Sequence, residues 1–287
     1  MLTLGGAMLV VVWSVGPTAL PGLHLPWHRL WAVTTSGKAT VPRPGFAVIA
    51  HRGNSVSAPE DTLAAIREAF DLGVPIVEVD VYLSRDGVPV VFHDETVERT
   101  TNGTGVVWEK TLAELKALDA GAWKGPRYAG ERIPTLAEAL EAARGRGRLL
   151  LDLKMEGMGR AIAEVLRRLG MPPESVLAGT WSPSQANDVA AHLKGAAILA
   201  AGDAPTTWDG GYFARERARG IAVLEIGANW SREFVAAANA HGLAVYAYTI
   251  NDEPTMRELI EMGVDGIETD DPALLLGLLE RLGGRRR

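Results

Sequence analysis

The sequence predicts a closed (β/α)8 barrel, and three observations predict it. From Phe46 onward, eight short β-branched runs alternate with amphipathic helical stretches, the rhythm of a parallel sheet built from βα units. The 287 residues exceed the roughly 250 that such a barrel needs. The first run ends in Ala50-His51-Arg52-Gly53 rather than in the Gly-rich phosphate turn that usually follows the first strand of an open doubly wound sheet.

Ahead of the barrel, Met1 to Leu23 carries no charged side chain, and Met8 to Trp13 is continuously apolar. Pro17 and Pro21 interrupt what would otherwise approach the ~20 apolar residues of a bilayer-spanning helix. There is no basic n-region and no convincing cleavage site for a signal peptide. Two readings stand side by side: a membrane-associated segment at residues 1–23, or, in a cytoplasmic protein, an arm packed on the domain or a translated leader without a role. Pro21 to Pro44, rich in Pro, Gly, Trp and His, reads as a linker, so the boundaries are 1–44 for the segment and linker and 45–287 for the barrel domain.

Within the barrel the strands are expected at Phe46–Ala50, Ile76–Tyr82, Leu149–Leu153, Val176–Thr180, Ala196–Ala200, Ile221–Ile226, Ala244–Thr249 and Asp265–Thr269. Helical stretches fall between them, among them Asp61–Leu72, Thr135–Arg144, Met158–Leu169, Pro183–Leu193, Arg232–His241, Pro254–Met262 and Pro272–Leu282. Thr135 and Ser182 stand at N-cap positions, while Pro183 and Pro272 suit first helical turns. One segment departs from the rhythm. Asp86-Gly87 lies between Glu78–Leu83 and Val88–Asp94, a hairpin signal. Pairing Ser84 with Gly87 would set His93 opposite Glu78 and return a histidine to the carboxylates of its own strand. The residues from about 94 to 134, with a short helix near Leu112–Leu118, are then an insertion before the second barrel helix.

Composition narrows the function. The net charge of −6 and pI near 5.6 argue against broad nucleic-acid binding. The absence of Cys excludes disulfides, thiolate metal sites and a cysteine nucleophile. A barrel's site lies at the C-terminal strand ends, where this chain puts His51, Arg52, Glu78, Asp80, Asp152 and Lys154, with His93 on the return arm. Glu78 and Asp80 share one strand face, as do Asp152 and Lys154. Three carboxylates converging in a barrel mouth cannot stay ionised without a cation between them, and hard oxygen donors favour Mg²⁺ or Ca²⁺ over zinc. Singly, each has an ordinary reading. A strand-end carboxylate is more often a solvated rim charge, a lone histidine is more often structural, and Arg52 or Lys154 could simply neutralise neighbouring acids. Their coincidence at the ends of three neighbouring strands is what favours a functional site.

The run His51-Arg52-Gly53, then Ala58-Pro59-Glu60-Asp61-Thr62, Glu78-Val79-Asp80 and Asp86–Asp94 resembles the glycerophosphodiester phosphodiesterase family. Arg99–Gly105, Ile133-Pro134-Thr135-Leu136 and Gly263–Asp270 carry the resemblance on, so that it spans about Val48 to Pro272. It implies a TIM barrel with an insertion, a divalent metal and a small glycerophosphodiester substrate. By resemblance Glu78, Asp80 and Asp152 take the metal-ligand places, and His51 and His93 the acid/base places. Arg52 and Lys154 take the phosphate-contact places, Tyr248 the substrate-pocket wall, and Glu60 a place behind them. The family usually has Asn where Asp61 stands, Glu where Asp152 stands, Trp where Tyr248 stands and Ser-Phe where Thr180-Trp181 stands. Hydrolysis to glycerol 3-phosphate and an alcohol, through a cyclic phosphate, is the activity expected. A phospholipase C-like or lysophospholipase D-like lipid phosphodiesterase and a non-catalytic phosphate-binding barrel are the rivals.

Overall fold

The computed structural model describes residues 45–209 and 211–283. Its strands are β1 (Ala47–Ala50), β2 (Ile76–Leu83), β3 (Pro89–Val91), β4 (Arg148–Leu153), β5 (Val176–Thr180), β6 (Ala197–Gly202), β7 (Ile221–Ile226), β8 (Ala244–Ala247) and β9 (Gly266–Thr269). Apart from β3, every strand pairs in parallel, in the order β1-β9-β8-β7-β6-β5-β4-β2, and pairing of β1 with β2 (Ile49 to Ile76, Ala50 to Val77) closes an eight-stranded barrel. Closure removes the sheet edges that an open parallel sheet would leave to be covered.

The helices are α1 (Leu63–Asp71), α2 (Leu112–Ala117), α3 (Leu136–Ala143), α4 (Gly159–Leu169), α5 (Pro183–His192), α6 (Tyr212–Ala218), α7 (Arg232–Ala240), α8 (Glu253–Met262) and α9 (Pro272–Gly283). Thr62, Thr135, Ser182, Ser231 and Asp252 cap the starts of α1, α3, α5, α7 and α8 with side-chain oxygens, satisfying amides that have no partner within the helix. The stretches read from the sequence do not include α6. It starts after Gly211 with no capping side chain, so the start signal on which such a reading depends is missing.

Period-two alternation sorts the strand residues. Val48, Val77, Val79, Leu149 and Leu151 face the helices in the main core, whereas Ala47, Ile49, Ile76, Leu150, Leu177, Leu199 and Val223 fill the lumen. Two residues further along the same inward faces come His51, Glu78, Asp152 and Glu225, and Asp80 follows Glu78. The apolar lumen is therefore the floor of a polar mouth.

The hairpin forms one residue out of the expected register. Ser84 pairs with Val88 rather than Gly87, its amide donating to the Val88 carbonyl at 2.9 Å, and Val81 faces Val91. Gly87 takes φ +77°, so the loop has three residues ending in a left-handed glycine instead of two. His93 consequently lies beyond the end of the ladder and is not paired with Glu78. Residues after the hairpin bring Val97, Val107, Leu115 and Ile133 onto Tyr82, Val90 and Phe92 as a second small core. Among the described residues no helix is long and apolar enough to cross a membrane. Residues 1–23, on which the membrane expectation rests, lie outside the described residues.

Candidate active site

The loop after β1 delivers His51 and Arg52 into the mouth through an unusual backbone. Arg52 has φ +55°, and a β-carbon at Gly53 would lie 2.5 Å from the Ala65 carbonyl carbon. Only glycine admits so close a passage against α1. The turn aims the Arg52 amide at Glu78 Oε2, 2.8 Å away.

Both histidines are anchored in the same way. His51 Nδ1 is 2.7 Å from Asp270 Oδ1, and His93 Nδ1 is 2.6 Å from Asp94 Oδ1. Burial would raise Asp270, but the hydrogen bond and charge of His51 outweigh it and hold it at about 2; hydrogen bonds from Arg99, chiefly, and from His93 hold Asp94 at about 2. Carboxylates that stay ionised can only accept, so each Nδ1 carries the proton of that bond and each Nε2 is left out of it. His93, although off the ladder, acts electrostatically on Asp80.

Around them the charges are dense. Glu78, Asp80 and Asp152 each present an oxygen within 4.8 Å of the others; Asp80 and Asp152 are direct partners across β2 and β4. Lys154 Nζ sits 2.8 Å from Asp80 and 2.6 Å from Asp152, and Arg52 Nε is 3.2 Å from Asp80 Oδ2. Burial would raise Asp80, but Lys154 and Arg52 outweigh it and hold it well below the ordinary carboxylate range. Burial, reinforced by Asp80 and Asp152, drives Glu78 well above that range, and burial raises Asp152 against the pull of Lys154. Two cations do not satisfy three acids. Asp80 Oδ2 is buried and accepts no hydrogen bond, its contact with Arg52 Nε being an ion pair only. An oxygen-only donor set with an unsatisfied buried acceptor and surplus negative charge fits a hard divalent cation.

Glu60 links the two histidine arms. It binds Arg52 Nη1 at 2.7 Å and Arg99 Nη2 at 2.7 Å, and Arg99 in turn grips Asp94. Tyr248 stands edge-on to Trp181, ring centroids 6.2 Å apart, and the Trp181 indole nitrogen donates to Asp152 Oδ1 at 2.5 Å. All nine residues singled out from the sequence therefore lie in or against one mouth. The roles of Asp94 and Asp270 were missed, although both stand inside the quoted motifs; so were those of Arg99, Trp181 and the inward Glu225 and Glu268. For Asp94 the available signal was adjacency to His93, while Asp270 is 219 positions from its partner.

Comparison with known proteins agrees with this geometry. The family described as glycerophosphoryl diester phosphodiesterase matches residues 51–274. The chain is 35% identical over 246 residues to a glycerophosphodiester phosphodiesterase of Caldanaerobacter subterraneus, covering 82% of this chain and 98% of that protein. It is 30% identical over 266 residues to one from Bacillus subtilis, covering 84% and 89%. Among solved structures, a phosphodiesterase of Oleispira antarctica, held in complex with the product sn-glycerol-3-phosphate, superposes with a TM-score of 0.75 at 37% identity over 82% of this chain and 96% of that one. A match that opens at His51 and runs past Asp270 takes in both anchored histidines and the acids between them: the chain belongs to the glycerophosphodiester phosphodiesterase family and is a phosphoric diester hydrolase.

Proposed function

We propose that this enzyme hydrolyses glycerophosphodiesters to glycerol 3-phosphate and an alcohol by metal-dependent acid/base catalysis between His51 and His93. The observation that carries the reading is the paired anchoring: two imidazoles in one mouth, each with Nδ1 tied to an ionised carboxylate at 2.6–2.7 Å. Glu78, Asp80 and Asp152 would hold Mg²⁺ or Ca²⁺, which when bound neutralises the phosphodiester and acidifies a hydroxyl. Arg52 and Lys154 add positive charge where the phosphate arrives. One histidine takes the proton of the glycerol hydroxyl next to the phosphate as that oxygen bonds to phosphorus. The other gives a proton to the head-group alkoxide as its P–O bond breaks. Water then opens the cyclic phosphate with the two roles exchanged. Glu60, bridging Arg52 to Arg99 and so to Asp94, keeps the two arms in register. Tyr248 and Trp181 wall the pocket. The relative solved with sn-glycerol-3-phosphate supports the same product here.

The test is release of glycerol 3-phosphate from glycerophosphocholine, glycerophosphoethanolamine and glycerophosphoinositol, with lysolipids in parallel, before and after chelation. Turnover of the glycerophosphodiesters that stops on chelation is expected. Turnover of lysolipids alone would favour the lipid phosphodiesterase, and binding without turnover of any substrate would favour a binding barrel.

A further inference from the structure

Two buried acids in the mouth have no part in this chemistry. Glu225 on β7 and Glu268 on β9 point into the lumen, 6% and 3% exposed. Glu225 acts electrostatically on Glu268. Burial pushes Glu225 up to about 7 and Glu268, with Glu225 and Glu78 adding to it, well above the ordinary range. The pair is nevertheless incomplete. Glu225 Oε1 is buried with no hydrogen-bond partner. Glu268 Oε1 stands 3.8 Å from His51 Nε2, too far for a hydrogen bond, yet an oxygen atom about 2.8 Å from each fits between them. Tyr248, on which both acids act, closes the side towards Trp181.

An open acceptor beside an oxygen-sized gap asks for a ligand with two neighbouring hydroxyl groups. We infer that Glu225 and Glu268 form the subsite for the hydroxyl groups of the glycerol arm, with one hydroxyl between Glu268 and the open nitrogen of His51 and the other donating to Glu225 Oε1. This rests on the glycerophosphodiester reading and names the part of the substrate that sets its specificity. It also places one hydroxyl within proton-transfer distance of His51.

The test compares binding of sn-glycerol 3-phosphate and of n-propyl phosphate, which has the same carbon chain and phosphate without hydroxyls, to the metal-loaded full chain. Wild type is expected to prefer glycerol 3-phosphate by about 100-fold, since a site built for a hydroxyl leaves its polar groups unpaired against the analogue. Glu225→Leu should bring the preference to within about 3-fold, with propyl phosphate affinity unchanged, while Glu225→Gln, which retains an acceptor, should keep most of it. Glu225→Ser, too short to reach, replaces the Leu variant if that one does not fold by thermal melting. An undiminished preference in Leu or Ser, or equal weakening of both ligands, overturns the subsite. So does a metal stoichiometry of two per chain that drops to one in Glu268→Gln, which would make this a second ion site. Absence of glycerophosphodiester turnover alongside an intact wild-type preference would instead defeat the functional reading and leave the subsite standing.

Discussion

Replacing Asp270 by Asn changes one atom, and the surrounding hydrogen bonds dictate what that atom does. Asp270 Oδ1 accepts from His51 Nδ1 and Ser55 Oγ, and Oδ2 accepts from the Asn251 amide at 2.6 Å. Asn251 cannot flip, because its own oxygen already accepts from the Asp270 amide and the Thr269 hydroxyl at 2.9 and 3.1 Å. The carboxamide introduced by Asp270→Asn must therefore turn its oxygen to Asn251 and its NH2 to His51. That NH2 needs an acceptor, so Nδ1 gives up its proton and Nε2 takes one. The nitrogen facing the substrate changes from acceptor to donor.

Two effects contribute to the loss. The drop of Asp270 from its ordinary 3.8 to about 2 corresponds to about 2.5 kcal/mol in favour of the ionised form. The side chain is 37% exposed, and solvent screening reduces this to about 1–2 kcal/mol, on the order of 10-fold in rate. The tautomer effect is larger, and an analogous His–Asp pair in the serine proteases loses about 10⁴ on the same exchange. For Asp270→Asn we expect kcat to fall about 10³-fold. Asp270→Ala, which leaves Nδ1 to water and imposes no tautomer, should lose only about 10- to 100-fold. The assay is steady-state hydrolysis of the best glycerophosphodiester, with thermal melting to exclude unfolding. An Asn variant more active than the Ala variant, or both within about 3-fold of wild type, would refute the argument.

The other expectations are simpler. His93→Ala should lower kcat at least about 10²-fold with the melting temperature nearly unchanged, as for loss of a general acid or base; a wild-type rate would make His93 structural. Excess EDTA on metal-stripped protein should abolish turnover, because Glu78, Asp80 and Asp152 otherwise face an anionic substrate; full turnover would sink the metal assignment. Asp152→Asn should lose both metal affinity and activity, whereas Asp152→Glu should tighten metal binding, since its side chain reaches about 1.5 Å further and Gly179 opposite offers no side chain to block it; metal titration of activity decides, and an Asn variant titrating like wild type would exclude Asp152 as a ligand. Asp94 and Asp270, both depressed to about 2, contribute stability above about pH 4 that is lost as pH falls through about 2. Urea midpoints should accordingly fall between pH 4 and 2 more steeply in wild type than in Asp270→Ala.

Local physics made part of this site legible in the sequence. Glu78 and Asp80 interrupt an apolar strand at every second position, which places both acids on one face and points to an inward polar layer. Asp152 and Lys154 repeat the pattern on the neighbouring strand. The hairpin was legible as a hairpin, but its register turned on whether Gly87 closes a two-residue loop or ends a three-residue one, a choice of backbone conformation that Asp-Gly permits either way. The short α6 escaped because no capping side chain marks its start. The rest was illegible for a different reason. His51 finds Asp270, and Glu225 finds Glu268, only because closing the barrel brings the first and last strands together and faces β7 towards β9. Spacing along a chain cannot express that, whereas register across a closed sheet does: β1 pairs Ile49 with Glu268, which puts the next inward residue, His51, beside the last strand's acids. Once closure and this register are granted, a carboxylate partner of His51 can come from the end of the eighth barrel strand, and Asp270 stands there.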